Sequence, residues 1–535
     1  MSVQQSEPAL ARQTCLKAFA IAIPIMCKED QLNDAFTYKR PRCNQIQALR
    51  LCCKEFRKIV DDLGVLTRLR IFEGQSDFAV LTPALMKNVR HLDISPDCAE
   101  KHYKLIKNHL PELKRIFHLT APNLHGLVIS RVPAPLAVFI KGLSFSNLET
   151  LTLDGMEGSI SGAKDELYSM QKLQTLSLLD QKLNIADGKV LLSAPFLSNL
   201  AELVLGMTAR ALTTEYMSNL LTDATSLKRL WLINDKGPDF NYFGSAKLEN
   251  LEQLVFDNES EEDQVYVRFG PLLAQSRPNL RILCVHGGTV TTQELKNLLA
   301  SGKAALPNLN YLSITKPFLD DSDSDDDQVP DWSCLSQIDF PNLVDLKLEC
   351  HFKELLGLLQ PTAKLPKLKS LDVTCSDSDS WPPRNYTLEI LKYSEQLFSS
   401  PIFYQLTSLH IRSYYFRLDS LAVLCKYAPK MKGLRYLTVH SHDLEGVQMI
   451  ANCGQNGGFP NLARIEFCDM SRIYAGGAME RDRIRGEKFQ LEIRDCLRKV
   501  WPTIRFECHC HPMNDHDYGQ PGEFYNPEFD EEGLY

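Results

Sequence analysis

The sequence predicts an α/β fold in which a curved parallel sheet lines the inside of a solenoid and helices cover the outside. An apolar motif, L-x-x-L-x-L, recurs fourteen times, and its copies are about 28 residues apart on average. The segments between copies carry the apolar periodicity of helices. A strand and a helix repeated at this interval are typical of a solenoid. One elongated array therefore explains a length of 535 residues, which would otherwise suggest three domains.

Each copy of the motif predicts one short strand. Its last two apolar residues alternate along the chain, so both side chains point to the same face. One copy cannot bury that face alone, but stacked copies share a continuous core. Counted from the residue before the first apolar position, the copies start at 88, 123, 147, 172, 199, 226, 250, 279, 308, 342, 367, 405, 433 and 461. Helical periodicity follows in segments such as Glu294–Ala300, Ala422–Tyr427 and Leu444–Asn452.

The repeated pattern resembles the leucine-rich-repeat family over roughly three quarters of the chain. In that family an asparagine commonly follows the strand, and its side chain forms a ladder between turns. Here that place holds Gln181, Gly288 or His442 instead. The departure predicts an irregular array with variable coil.

Residues Ile46–Phe72 resemble the second half of an F-box, which docks a protein onto an SCF-type cullin–RING ubiquitin ligase. The run from Leu49 to Arg57 (LRLCCKEFR) matches the family's helix, with Cys52 in place of the usual valine. Helical spacing places Leu49, Cys52, Cys53 and Phe56 on one side. The resemblance implies that the SCF adaptor subunit contacts the following residues: Leu49, Leu51, Cys53, Phe56 and Leu63.

The first half of an F-box is not recognisable upstream. The Leu-Pro opening of the family is missing from Thr14–Cys43, and Pro24 interrupts the apolar stretch there. The segment is therefore a degenerate F-box, or a helix that only caps the solenoid. The order of this segment followed by repeats resembles fungal F-box and leucine-rich-repeat proteins.

The chain divides into five predicted regions. They are a disordered start (1–13), an F-box-like helical cap (14–81), the repeat array (82–478, with an acidic loop at 319–331), a cap helix and strand (479–510) and an acidic tail (511–535).

The solvent-facing positions of the strands are the predicted binding surface. Counted from the first leucine of each copy, the third, fifth and seventh positions point away from the core. Aromatic residues and arginine are enriched where binding energy concentrates in interfaces. The candidate partner-binding residues are Arg229, Trp231, His286, Tyr311, Lys347, His410, Arg412, Tyr436 and His440.

The net charge of −8 is concentrated in two segments. Asp320–Asp327 holds six acids, and the tail from Asp515 holds seven acids with no lysine or arginine. The rest of the chain carries a small positive net charge. This charge is too weak and too dispersed to indicate a nucleic-acid partner. Ser322 and Ser324 each have an acid three residues later, which predicts acidophilic phosphorylation. The alternative is a solvated acidic loop without modification.

No catalytic motif stands out, and the sequence predicts neither an enzyme nor a cofactor. Cys508-His509-Cys510-His511 has zinc-binding residue types, but its C-x-C spacing favours a cap strand, so no metal site is predicted. The sixteen cysteines are scattered, which favours reduced thiols. The longest apolar run, Ala18–Cys27, is too short to span a bilayer. We expect no membrane partner and a cytoplasmic or nuclear location.

These patterns together predict a substrate-recognition subunit of an SCF-type ligase, with a protein substrate on the concave repeat face. The alternative is a leucine-rich-repeat scaffold without ligase association.

Overall fold

The computed structural model describes most of the repeat array. The described residues are 67–71, 83–94, 99–132, 134–180, 183–206, 214–233, 243, 246, 248–257, 266–287, 289–315, 332–350, 352–360, 362–375, 386–413, 418–440, 444–468 and 491–509. Several predictions fall outside them. These are the F-box-like helix with its five adaptor residues, the start of the chain, Ser322 and Ser324, Cys510 and the acidic tail.

The chain forms two compact units. Unit 1 comprises Met1–Val290 with Ala304–Asn308, and unit 2 comprises Thr291–Lys303 with Leu309–Tyr535.

Unit 1 is built on parallel strands that follow one another in chain order. They are β1 Arg68–Ile71, β2 His91–Ile94, β3 Gly126–Ser130, β4 Thr150–Asp154, β5 Thr175–Leu179, β6 Glu202–Gly206, β7 Arg229–Ile233, β8 Gln253–Asp257 and β10 Ile282–His286. Two further short strands, β9 Tyr266–Val267 and β11 Thr289–Val290, pair with each other.

Unit 2 repeats the arrangement with seven parallel strands among its described residues. They are β12 Tyr311–Ile314, β13 Asp345–Glu349, β14 Ser370–Cys375, β15 Ser408–Ser413, β16 Tyr436–His440, β17 Arg464–Cys468 and β18 Arg505–His509.

Helices connect the strands. They are α1 Pro83–Met86, α2 Ala99–Thr120, α3 Ala137–Ile140, α4 Lys164–Ser169, α5 Ile185–Leu192, α6 Thr214–Asp223, α7 Gly270–Leu273, α8 Thr292–Ala305, α9 Tyr386–Phe398, α10 Pro401–Tyr404, α11 Leu418–Tyr427 and α12 Leu444–Gln455. Residues 491–498 are also helical. Some connections contain 3-10 turns, the longest being Trp332–Gln337 and Phe352–Leu359. Helix α2 is kinked at His109, close to Pro111, which lacks an amide hydrogen.

The strand register stacks equivalent residues of consecutive repeats. Leu151 pairs with Leu176, and Leu153 pairs with Leu178. All four side chains are buried. The same stacking recurs in unit 2, where Leu371 pairs with Leu409. The fold is therefore an α/β leucine-rich-repeat solenoid, and the predicted fold class is confirmed.

An asparagine ladder joins consecutive repeats. Its rungs come from the asparagine directly before the first leucine of the motif, whereas the family resemblance implies an asparagine after the strand. Each side-chain Nδ2 donates a hydrogen bond to the carbonyl of the residue two places before the first leucine of the preceding repeat. The rungs are Asn147 to Pro122 (2.9 Å), Asn199 to Gln171 (3.0 Å), Asn250 to Thr225 (2.9 Å), Asn279 to Glu249 (2.8 Å), Asn308 to Pro278 (2.7 Å) and Asn461 to Lys432 (2.8 Å).

One repeat of unit 1 buries a cation where its neighbours bury apolar side chains. The residue three places before the motif's first leucine is Leu248 in one repeat, Leu306 in another and Arg277 in the repeat between them, and all three are buried. The Arg277 guanidinium donates to the carbonyls of Phe243 (2.8 Å), Ala246 (3.1 Å) and Leu272 (3.3 Å). Burial lowers the pKa of Arg277, but an arginine guanidinium stays charged at neutral pH. Backbone carbonyls therefore compensate this buried charge.

Candidate partner-binding surface

The sheet positions predicted to face solvent form an open surface in each unit. In β7, Arg229 and Trp231 are exposed, while Leu230 and Leu232 between them are buried. This alternation follows from the period of two along a strand. We call the surface made by the third, fifth and seventh motif positions the exposed sheet face.

An apolar strip crosses the exposed sheet face of unit 1. Its residues are Val204, Trp231 and Val255, which occupy the fifth motif position of three consecutive strands and are paired in register. Trp231 is 37% exposed, whereas Val255 is only 7% exposed. The strip therefore presents one aromatic ring above a flat aliphatic surface.

Charged and polar groups border the apolar strip. Arg229 Nη2 lies 2.7 Å from Glu202 Oε2 on the neighbouring strand. His286 ends β10, is half-buried, and pairs in register with Asp257. Trp231 is thus the most exposed apolar group of a strip with a polar border.

A polar row crosses the exposed sheet face of unit 2 at the same fifth position. It consists of Lys347, Asp372, His410, Thr438 and Glu466, which are paired in register across five strands. Thr438 is almost fully buried. Two arginines lie beside the acids of this row.

The two carboxylates of the polar row interact differently with their surroundings. Arg412 Nη2 lies 4.0 Å from Asp372 Oδ2, and Arg464 Nη2 lies 3.6 Å from Glu466 Oε2. Asp372 Oδ1 is buried and has no hydrogen-bond partner among the described residues. A buried acceptor without a donor weakens the fold.

His410 lies at the centre of the polar row. Its Nε2 is 2.7 Å from Ser408 Oγ. Burial lowers the pKa of His410, with a further lowering from Arg412 and Arg464, while Asp372 and Glu466 act in the opposite direction. The imidazole is therefore mainly neutral at pH 7, with one nitrogen that donates a hydrogen bond and one that accepts.

The remaining candidates of unit 2 lie on β12 and β16. Tyr311 is half-buried, whereas Tyr436 is 46% exposed. His440 ends β16 and pairs in register with Cys468. Tyr436 also borders an open cleft of about 370 Å³, lined by Thr407, Lys432, Gly433, Arg435, Tyr436 and Asn461.

The structure brings together some predicted residues and adds others. Arg229 lies beside Trp231, and His410 lies near Arg412. Five residues of the apolar strip and the polar row are not among the nine sequence-based candidates: Val204, Val255, Asp372, Thr438 and Glu466. Each occupies the fifth position of its motif, as Trp231 and His410 do, so the motif position was an available signal. The binding role of the whole set stays a prediction.

Among the described residues, no three side chains of His, Cys, Asp or Glu are arranged to hold a metal ion. Cys508 lies in β18, where it pairs in register with Phe467. None of the helices in the described part of the chain is sufficiently long and apolar to cross a bilayer.

No family model matches this sequence, and no curated protein matches it. Similar solved structures include internalin C2 of Listeria monocytogenes str. 4b F2365, at 20% identity and a TM-score of 0.28, over 43% of this chain and 83% of that one. A chain of the Rad7 and Elc1 complex in yeast is 17% identical, with a TM-score of 0.35, over 87% and 94% of the two chains. A chain of the TLR13–ssRNA13 complex is 13% identical, with a TM-score of 0.28, over 76% and 68%. TM-scores this low assign neither a partner nor an activity.

Proposed function

We propose that this chain is a recognition subunit that binds a protein partner on its exposed sheet face. The observation that carries the proposal is the exposed Trp231 at the centre of the apolar strip. An exposed tryptophan on a flat apolar surface is costly to leave in water and is a common centre of protein–protein binding. The polar border around it supplies the groups that orient a partner.

We further propose that the partner is a substrate for ubiquitination and that the F-box-like segment 46–72 binds an SCF adaptor. This part of the proposal rests on the sequence LRLCCKEFR and on its position before the repeats. The segment lies outside the described residues. In this role the chain performs no bond chemistry and supplies proximity between the substrate and the ligase. The competing function is a scaffold that binds its partner through the same face without a ligase.

Adaptor binding distinguishes the two functions. We expect the purified adaptor subunit to retain the full chain and to lose it when Phe56→Ala removes a central apolar side chain of the F-box-like helix. Leu388→Ala, which removes an exposed apolar side chain of helix α9 in the repeat array, is the control and should be retained. Pull-down followed by quantitative immunoblotting measures the retained fraction. Failure of the adaptor to retain the unaltered chain would remove the ligase from the proposal and leave the scaffold function.

A further inference from the structure

Five basic residues line the edge of unit 2 where the chain enters strands β14 and β16. Lys367, Lys369, Lys430, Lys432 and Arg435 are all exposed. We call this group the basic edge. It is continuous across neighbouring repeats, because the Lys369 carbonyl accepts from Thr407 and the Thr407 carbonyl accepts from the amide of Arg435.

The basic edge has no carboxylate partner among the described residues. Lys367 Nζ donates to Asn342 Oδ1 at 2.7 Å, and Lys369 Nζ donates to the Gln405 carbonyl at 3.4 Å. Lys430 Nζ lies above the rings of two tyrosines, 5.4 Å from the ring centre of Tyr404 and 5.3 Å from that of Tyr427.

The two remaining cations of the basic edge border the cleft beside Tyr436. The side chains of Lys432 and Arg435 have neither a hydrogen-bond nor an ion-pair partner within the described part of the chain. Other cations of unit 2 are paired with acids, as Lys303 is with Asp339 (3.1 Å) and Lys426 with Glu395 (2.5 Å). The basic edge is therefore a concentration of positive charge that an anionic group would neutralise.

The same chain carries a segment of opposite charge that follows β18 in sequence. Residues 515–535 hold seven acids and no lysine or arginine. They follow β18, which pairs with β17, and β17 pairs with β16. The acidic segment is thus attached two strands away from the cleft.

The connection is long enough for contact. Two strand spacings separate β18 from β16 by ~10 Å, and the strand itself is ~17 Å long, so the segment must cover ~20 Å from His509 to the cleft. Glu523, the first acid of the denser part, lies 14 residues after His509. An extended chain of that length reaches ~46 Å. A tether of this kind holds a ligand at an effective concentration in the millimolar range.

We infer that the acidic segment 515–535 binds the basic edge of its own chain, with Lys432 and Arg435 among its partners. The contact is electrostatic, with several carboxylates facing exposed ammonium and guanidinium groups, so salt weakens it. It does not depend on the proposed ligase function. For a partner that uses Tyr436, the segment acts as a competitor for the same end of the exposed sheet face.

Amine labelling of the full chain tests the contact. One variant neutralises the seven acids of 515–535 by Asp→Asn and Glu→Gln, and a matched variant neutralises the six acids of 320–327 in the same way. Mass spectrometry follows acetylation of Lys369 and Lys432 by an amine-reactive ester at low salt. Lys228, which has the motif position of Lys369 in unit 1, is the internal reference.

We expect labelling of Lys432, relative to Lys228, to rise at least threefold when the segment 515–535 is neutralised, and to rise similarly in the unaltered chain at 0.5 M salt, where screening is strong. The 320–327 variant should label like the unaltered chain. Equal labelling of Lys432 in all three proteins at low salt would overturn the inference. A rise only in the 320–327 variant would also overturn it, because the loop would then cover the edge.

Zero-length cross-linking gives a second readout. A carbodiimide should join a carboxylate of 515–535 to Lys369, Lys430 or Lys432 in the full chain, and the double substitution Lys432→Gln/Arg435→Gln should reduce the yield. The matched double substitution Lys228→Gln/Arg281→Gln, at entry positions of unit 1, should leave the yield unchanged. Cross-links from the segment that go only to lysines outside the basic edge would contradict the assignment.

Discussion

The exposed sheet faces of the two units differ in chemistry, although the same motif builds both. In unit 1 the fifth motif position holds Val204, Trp231 and Val255 in succession, whereas in unit 2 it holds Asp372 and His410. The buried positions are alike, with leucine stacked on leucine in both units. The comparison teaches that the buried positions determine the fold, and that the open positions are free to vary and to determine what is bound.

The largest expected effect concerns Arg277, a charged residue at a buried motif position where the neighbouring repeats have an apolar residue. Replacing Arg277 by Met leaves three buried carbonyls without their side-chain donor, and we expect the free energy of unfolding to fall by about 3 kcal/mol. Met431 has the same motif position in unit 2, where it is apolar and buried. Met431→Leu should cost less than about 1.5 kcal/mol.

Urea titration monitored by circular dichroism measures both changes. If Arg277→Met cost no more than Met431→Leu, Arg277 would be an ordinary core side chain and the carbonyl contacts would contribute nothing.

The next largest effect sharpens the contrast between the two faces. Trp231→Ala should weaken partner binding at least tenfold, since a central aromatic side chain contributes about 2 kcal/mol or more in such interfaces. Ile185→Ala is the matched control, because Ile185 is also exposed and apolar but lies on helix α5. Quantitative mass spectrometry of proteins that co-purify with the full chain compares the variants. Equal recovery with both variants would exclude the apolar strip as the binding centre.

A smaller effect tests what the two units share. Asn279→Ala in unit 1 and Asn461→Ala in unit 2 each remove one rung of the asparagine ladder. Each should lower the free energy of unfolding by about 1 kcal/mol, the ordinary net contribution of one hydrogen bond. Asn452→Ala, an exposed helix position in α12 without a rung, is the control for the loss of an asparagine side chain. If only one of the two substitutions lowered the free energy of unfolding, the ladder would not stabilise both units.

The smallest effect is pH-dependent and belongs to unit 2. The pKa of His410 lies below its ordinary value of 6.5, mainly because of burial, so the unfolded chain binds this proton more readily than the folded chain. Stability is therefore lost as the pH falls below about 6.5 and continues to be lost down to the folded pKa. His410→Gln should reduce that loss, measured as the melting temperature between pH 7 and pH 5. An unchanged pH profile would contradict the prediction.

The same pH experiment distinguishes the contribution of His410 in unit 2 from that of His91 in unit 1. Burial also lowers the pKa of His91 in unit 1, with further lowering from Arg68 and His125. The His410→Gln variant should still lose some melting temperature between pH 7 and pH 5. That loss should be smaller in the His410→Gln/His91→Gln double variant.

Sequence reasoning predicted the strands well because their signal is local. The spacing of Leu148, Leu151 and Leu153 within one copy is enough to place a strand and its buried face. Sequence reasoning did not predict the asparagine ladder, because a hydrogen bond between repeats depends on the register of neighbouring strands, which no single copy of the motif contains. The asparagine before the motif was visible at Asn147 and Asn279, but its partners are backbone carbonyls and have no sequence signal.

The candidate site was predicted less completely than the fold. Trp231 was found because its position and its residue type both indicate binding. Asp372 was missed because an acid on a strand is ordinary, and its significance comes from His410 on the next strand. Arg277 had an available signal, a charged residue at a register position where the other repeats have apolar ones.

The asparagine ladder has a mechanical consequence. Each rung connects a repeat only to the one before it, and within each unit the strand of each motif copy pairs only with the strands of the adjacent motif copies. Tension applied to a terminal strand therefore acts on one set of pairing bonds and one rung at a time, and no later repeat shares that load. Within each unit the outermost repeat should peel away first, in small steps of low force. Stretching the chain in an optical trap would record a staircase of short extensions in place of one abrupt rupture.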